Sequence, residues 1–578
     1  MRSFPSGIGG IRKGHFMQRR KFLYGLGGGA FTAGLAGLPA ELPLIRPFAA
    51  RALGASAAPA ARPTPGQVAW QNLEFGMFVH LAPNTWQNLE GDNLSTPLSQ
   101  IDPVDLNTDQ WVETALSMGA RYVVFVAKHQ GGFCMWQTHT TPYSIRNTPW
   151  RHGKGDVLRD ISESCRKHGL PLGVYVSPRD QYFGAGIGGK CKTPAQQKKY
   201  NAIYREQLTE VFTRYGKLVE IWFDGSTVTP VGDLIHRYQP EAMVFQGPDA
   251  TIRWVGNENG FAPYPCWNAL DKQDAATGTA TALNSDPNGS VWMPVEADVS
   301  IRRPDWFWST TNAGKVLTLD QLLSIYYRSV GRGAQLLLNI PPNTRGLMAQ
   351  PDCAVAKQFG DELRRRFSHP VARTRGAGPL VEWKLAKPAR IDTVILQEQI
   401  SGGQRVRAYQ LEGRAHGAWI PLGEGASIGH KRIQPVPPHI VDAVRLRVTE
   451  SQGDPMIRTL AVYDTGVAPP ADWDAVSHLW AANLIGQWSG GSFSLDLSSR
   501  IHAATQYVLR FRPESGKVTG FRNMILEIGG VPAPDLLKHS PAHPDELILD
   551  ITGLDASIRI HGHVEGASSG SILFEKLR

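Results

Sequence analysis

A chain of 578 residues is too long for one core and points to about three or four folded units. Its 42% hydrophobic and 19% charged content is ordinary for a globular protein. The net charge of +9 would suit a polyanion-binding protein, but it is concentrated at one end. Residues 1–62 hold nine basic residues and one acid, which leaves 51 basic and 50 acidic residues for the rest. A nearly neutral body has no electrostatic footprint for nucleic acid, and no such partner is expected.

The basic leader, residues 1–62, reads as an export signal and linker. Gln18-Arg19-Arg20-Lys21-Phe22-Leu23 precedes a mildly apolar run from Tyr24 to Leu38, and Ala55-Ser56-Ala57 follows as a small-residue cleavage pattern. This resembles a twin-arginine signal and predicts a periplasmic or extracellular protein. A transmembrane anchor is disfavoured, because six glycines between Gly25 and Gly37, with Pro39 just beyond, make a poor bilayer span. No stable span is expected after processing. Cys134, Cys165, Cys191, Cys266 and Cys353 are scattered without close pairing, which implies neither a disulfide framework nor a zinc site. No metal and no cofactor is expected.

From Pro63 apolar strands alternate with amphipathic helices. Phe75–His80 is a first strand ending on His80, and Thr108–Met118 has helical spacing. Tyr122–Ala127 runs into Lys128-His129. Asp156 is placed to cap the next helix, and Leu172–Val176 is a third strand ending at Ser177. Thr193-Pro194 opens a long helix to about Tyr215, with proline at its first position. Val219–Phe223 then stops on Asp224-Gly225, where glycine lets the chain turn away and leaves one carboxylate at a pocket mouth. Val244-Phe245 ends on Gln246, and Ala334–Ile340 stops at Asn339.

Continuous apolar strands alternating with helices imply a parallel sheet covered on both faces. The closed solution is an α/β fold of the TIM-like (β/α)8 type over residues 63–367, ending in a helix over Pro351–Phe367. An open doubly wound sheet is disfavoured, because polar residues end many strands and no glycine-rich phosphate turn follows the first. Beyond residue 368 the texture becomes short alternating strands among Gly/Pro loops: Ile391–Gln397, Arg407–Gly413, Ala443–Val448 and Thr459–Tyr463. Residues 368–467 therefore read as a β-sandwich. After the linker Ala468-Pro469-Pro470, residues 471–578 read as a second β-rich, sandwich-like domain, with strands at Ser492–Leu497, Gln506–Phe511 and Glu546–Ile551.

A carboxylate at a barrel mouth needs a second acid for glycoside chemistry, one to protonate the leaving oxygen and one to meet the oxocarbenium ion. Glu258, among glycines and asparagines just after the next strand, is the first candidate partner. Glu296 and Asp298 compete for the role. Glu220 is set aside as pointing to the face opposite Ile221 and Phe223.

Four motifs in register carry a resemblance over about residues 64–350: Phe75-Gly76-Met77-Phe78-Val79-His80, Ala127-Lys128-His129-Gln130-Gly131-Gly132-Phe133, Gly173-Val174-Tyr175-Val176-Ser177-Pro178 and Trp222-Phe223-Asp224-Gly225. Together they resemble glycoside hydrolase family 29, the retaining α-L-fucosidases. Pro83-Asn84-Thr85, Arg253 to Glu258 and Asn339 to Leu347 are similar to the branch acting on α-1,3/1,4-linked fucose. The 368–467 unit resembles that branch's discoidin-like carbohydrate-binding modules.

With export read from the leader, the resemblance implies a retaining exo-glycosidase that removes terminal α-L-fucose from a fucosylated oligosaccharide or glycoconjugate. It implies Asp224 as nucleophile and Glu258 as general acid/base. It further implies His80, Glu90 and His129 on the sugar hydroxyls, with Trp222, Arg253 and Trp306 lining the pocket. Where the family reads Lys-His-His-Asp-Gly-Phe, this chain has Gln130 and Gly131, and Gly91 replaces a tryptophan after Glu90. The departures leave an α-L-galactosidase-like activity, or a catalytically weak glycan-binding protein, as alternatives.

Overall fold

The computed structural model describes residues 61–474, 484–498, 506–513, 517–539, 544–550 and 557–576. The export-signal reading lies outside the described residues.

Eight parallel strands form the core of the first unit: β1 Phe75–Val79, β2 Val123–Lys128, β3 Leu172–Val176, β4 Leu218–Trp222, β5 Met243–Phe245, β6 Arg253–Trp254, β7 Val295–Ser300 and β8 Gln335–Asn339. They pair in chain order from β1 to β5, while β1 also pairs β8, β8 pairs β7 and β7 pairs β6. A single parallel bridge from Phe245 to Ile252 closes the ring between β5 and β6. The expected TIM-like barrel is therefore the observed fold.

The outer layer is helical, and most of its helices start on side-chain caps. Helices α1 Thr108–Met118, α2 Val157–His168 and α3 Pro194–Arg214 begin on Asn107, Asp156 and Thr193, whose side chains each accept a backbone N–H from the first turn. Helices α4 Gly232–Tyr238, α5 Leu319–Arg328 and α6 Gln350–Phe367 follow β4, β7 and β8. The ring departs from a regular (β/α)8 pattern after β5 and β6. There residues 246–252 connect directly, and residues 255–294 form an irregular excursion with a small hairpin.

Two apolar layers result. Val123, Phe125, Val174, Ile221 and Phe223 face the helices, whereas Phe78, Tyr122, Tyr175, Trp222, Phe245 and Leu337 fill the barrel interior. Strand alternation produces both layers at once.

Beyond the barrel, β9 Ala372–Ala377, β10 Leu380–Glu398, β11 Val406–Ala415, β12 Ala418–Gly425, β13 Arg432–Ser451 and β14 Met456–Tyr463 form one antiparallel sheet. The short strands read from the sequence are pieces of these longer ones. β10 and β13 pair along most of their length across register shifts, which bend them around their own core. This unit meets the barrel at its N-terminal end: Lys431 pairs with Glu74, His430 bonds Asn72 at 3.0 Å, and Ile433 packs on Gly331. Asp472 accepts from Ser324 and Arg328 of α5, each at 2.7 Å, so the chain just past the prolines is anchored. Among the described residues the last domain is a nine-stranded antiparallel sheet with its own core around Trp488, Phe511 and Leu547.

Candidate active site

The C-terminal ends of the strands converge on a pocket whose floor is aromatic. Phe78 lies 4.9 Å from Trp222, and Trp222 stacks on Phe245 with centroids 3.5 Å apart. Above this floor stand His80 after β1, His129 after β2, Tyr175 on β3 and Asp224 after β4. His80 and His129 are 5.9 Å apart, His129 stacks on Tyr175 at 5.7 Å, and His80 lies 5.1 Å from Trp306.

A β-bulge aims His129. Val126 pairs with Tyr175 but Lys128 pairs with Val176, so β2 spends an extra residue there. The slip turns Lys128 outward, where its ammonium, fully buried, bonds Asp180 at 3.1 Å, Tyr200 at 3.2 Å and Gln207 at 2.9 Å. His129 is thereby turned inward. Removing one partner from such a buried pair costs about 3–5 kcal/mol, so Lys128 holds the turn firmly.

Asp224 sits where the strand-end reading put it. Gly225 has φ +79, and its N–H donates to Gln246 Oε1 at 2.8 Å, so the turn is clamped from β5. Oδ2 of Asp224 accepts from Tyr175 Oη at 2.9 Å and from Gln130 Nε2 at 2.7 Å. Burial and the Asp224 charge push the Tyr175 phenol well above its usual range, so it stays a donor.

The histidines are held neutral. His80 Nδ1 bonds Asn339 Oδ1 at 2.8 Å, and Asn339 Nδ2 donates to Ser300 Oγ and Trp306 O. With the amide so oriented, the imidazole carries its proton on Nδ1 and offers Nε2 as an acceptor. Burial and His129 lower its pKa well below the ordinary value. Burial also lowers His129 to about 4, against the opposing pull of Asp224 and Asp92. Neutral imidazoles suit vicinal sugar hydroxyls, which both donate and accept.

Glu258 lies on the loop after β6, paired with Arg303 at 3.5 Å and with its side chain 30% exposed. Backbone bonds tie this loop to β7: Val255 N donates to Glu296 O at 2.7 Å, and Asn259 bridges Val299. Asp298 stands between the two proposed catalytic acids electrostatically. Burial, then Glu258, and more weakly Asp224 push its pKa up to about 8, while Trp254 Nε1 donates to it at 2.6 Å.

Glu296 is elsewhere. It is wholly buried beneath the floor, accepting from Tyr122 at 2.8 Å and Trp222 at 3.1 Å, and its pKa is raised by burial and by Glu220. A carboxyl so enclosed cannot reach a glycosidic oxygen. Glu220 corrects the face argument: strand parity puts it on the same side as Trp222 and Asp224, where Trp70 donates to it at 2.8 Å. It is excluded by depth, not by face.

Among the sequence-derived pocket residues, His80, His129, Trp222 and Trp306 come together around Asp224. Glu90 reaches the rim from the 84–94 loop, and its carboxylate accepts the backbone N–H groups of Trp306 at 2.9 Å and Phe307 at 3.3 Å. Arg253 is a correction. It is 1% exposed, with its guanidinium donating to Met293 O at 2.9 Å, Thr281 O at 3.0 Å, Ser285 Oγ at 3.0 Å and Trp267 O. It staples the 255–294 excursion rather than lining the pocket, because on β6 it points opposite to Trp254. Tyr175, Arg179, Asn339 and Phe307 were missed as site residues. Inward parity at a strand end was the available signal for Tyr175 and Asn339, whereas Arg179 and Phe307 lie on loops that carry no such signal.

The Alpha-L-fucosidase family profile matches residues 85–366. Alpha-L-fucosidase 1 of Arabidopsis thaliana is 32% identical over 452 residues, covering 69% of this chain and 87% of that protein. A Ruminococcus gnavus fucosidase of glycoside hydrolase family 29, solved in complex with fucose, superposes with a TM-score of 0.63 at 27% identity, covering 71% of this chain and 97% of that one. A family 29 member from a rumen bacterium, with a TM-score of 0.64 and 26% identity, covers 90% of this chain and all of its own. With a strand-end aspartate, two neutral histidines and an aromatic floor in one barrel mouth, this chain belongs to the α-L-fucosidase family and is a glycoside hydrolase of that kind.

Proposed function

We propose that this enzyme is an exported, retaining exo-α-L-fucosidase acting by double displacement. The observation that carries the mechanism is Asp224, at the end of β4, with Oδ2 held by Tyr175 and Gln130. Among the described residues no donor engages Oδ1, so that oxygen is the one to attack. Asp224 displaces the aglycone from the anomeric carbon while Glu258 protonates the departing oxygen. Glu258 then takes a proton from water, which opens the fucosyl ester and restores the original configuration. His80, His129, Glu90, Trp222 and Trp306 are proposed to hold the sugar.

The finer specificity is read from the sequence stretches Pro83–Thr85, Arg253–Glu258 and Asn339–Leu347, which support α-1,3/1,4-linked fucose on branched glycans. Such a site spends binding energy on the neighbouring branch to orient the scissile bond. Export rests on the twin-arginine pattern of the leader. The 368–467 unit is proposed as a discoidin-like module that braces the barrel through Lys431 and Ile433 and the 255–294 excursion through Gln404, which bonds Cys266 O at 3.0 Å.

The test is a side-by-side kcat/KM on a Lewis trisaccharide, 2′-fucosyllactose, nitrophenyl α-L-fucoside and nitrophenyl α-L-galactoside. Preference for the Lewis trisaccharide is expected. Preference for 2′-fucosyllactose overturns the linkage claim, and preference for the galactoside overturns the sugar.

A further inference from the structure

Gly131, two residues past His129, has no backbone reason to be glycine, since it lacks the positive φ that its neighbour Gly132 adopts at +98. The reason is steric. A Cβ on Gly131 would lie 2.1 Å from Asp92 Oδ2 and 2.6 Å from Asp92 Cβ and Cγ. Another residue's carboxylate thus fills the space where a side chain would stand.

Asp92 is well placed there. It is 5% exposed, its Oδ2 accepts from Tyr143 Oη at 2.7 Å, and its Oδ1 accepts from Gln87 Nε2 and Leu94 N, both at 2.8 Å. Its charge is felt at His129, second only to Asp224 among the groups favouring the protonated ring. The same loop carries Glu90, which grips the backbone of Trp306 and Phe307. Phe307 in turn meets His129 edge-on at 5.0 Å and His80 at 5.3 Å. One buried carboxylate therefore sits where the 84–94 loop meets the turn that presents His129.

We propose that Asp92 is a positioning residue of the sugar pocket, seated in the space left by Gly131, from which it holds the Glu90 loop and His129 in register. It touches no substrate and acts through these two residues. The proposal rests on the glycosidase reading but not on the identity of the sugar.

A double-mutant cycle tests it, read as kcat/KM on whichever of nitrophenyl α-L-fucoside and nitrophenyl α-L-galactoside the wild type cleaves, and as the thermal midpoint. Gly131→Ala should lower kcat/KM by about tenfold or more in the wild type, yet by less than about threefold once Asp92→Gly has cleared the space. Asp92→Asn keeps the shape and guards against a misfolded variant. It should cost about tenfold in kcat/KM, with the thermal midpoint moved by less than about 4 °C. Its effect should shrink in a His129→Ala background, leaving the part that acts through the Glu90 loop. Additive effects of the 92 and 131 substitutions, or an Asp92→Asn enzyme with wild-type kcat/KM, would overturn the proposal.

Discussion

Gln130 Nε2 donates to Asp224 Oδ2 at 2.7 Å, while the oxygen of the same amide accepts from Arg179 at 2.9 Å. The guanidinium can only donate, so the amide cannot flip, and its NH2 end is committed to the carboxylate. A donor that does not titrate thus faces the proposed nucleophile at every working pH. Gln130→Ala should lower kcat about ten- to a hundred-fold, the scale of one hydrogen bond to a charged group. Arg179→Met should cost less, because the amide remains but is free to turn. Gln130→Glu should be worse than Ala, since a second carboxylate would repel the first. Steady-state kinetics of the three variants test the order.

Asp298 is held protonated near neutral pH, its pKa pushed up to about 8 by burial and by Glu258. In the unfolded chain it ionises near its ordinary value of 3.8, so between pH 4 and 8 the unfolded state binds fewer protons. Its contribution to stability therefore falls as pH rises through that window. Asp298→Asn, which mimics the neutral form, should gain stability over the wild type across the same range, by urea unfolding at several pH values. A constant difference would show that the site does not keep its proton.

The assignment of the acid/base separates Glu258 from Glu296. Glu258→Ala should cripple substrates with poor leaving groups and spare activated aryl fucosides, because only the former need a proton on departure. Glu296→Gln should change rates little for either, as it replaces a buried protonated acid by a neutral isostere. Equal damage to both substrate types by Glu258→Ala would move the role elsewhere, with Asp298 then the better placed acid.

Much of this was legible in the sequence, and the rest was hidden for physical reasons. The strands ending on His80 and Asp224, and the capped helices begun by Asp156 and Thr193, carry local signals: apolar runs, cap residues, a glycine after a carboxylate. β7 was not seen as a strand, because Glu296, Asp298 and Ser300 alternate with apolar residues and look half-exposed. All three face the barrel interior, where neighbouring strands supply polar partners such as Tyr122, Trp254 and Asn339. Arg253 was misassigned because the side a two-residue strand turns toward the pocket depends on its neighbours. The Asp92–Gly131 contact joins loops far apart in sequence, so no local pattern could announce it.

The Glu74–Lys431 pair joins the barrel base to the following sheet. Burial opposes the Glu74 charge, but Lys431 and His430 outweigh it and leave its pKa below the ordinary 4.5. The pair's stabilisation is therefore present above that value and lost as pH falls through the lowered one. Lys431→Met should cost about 1–3 kcal/mol at neutral pH, by removing a charged hydrogen bond and leaving a half-buried carboxylate unpaired. The deficit should shrink on acidification as Glu74 takes up a proton. Chemical denaturation at pH 7 and pH 4 checks both statements.

The central claim is that Asp224 forms a covalent bond to the sugar. Asp224→Gly should lose about a thousand-fold or more in rate. Azide added to that variant with an activated α-fucoside should enter from the vacated face and yield β-fucosyl azide, identifiable by proton NMR. An Asp224→Gly enzyme that keeps its activity, or an azide product of α configuration, would contradict the account.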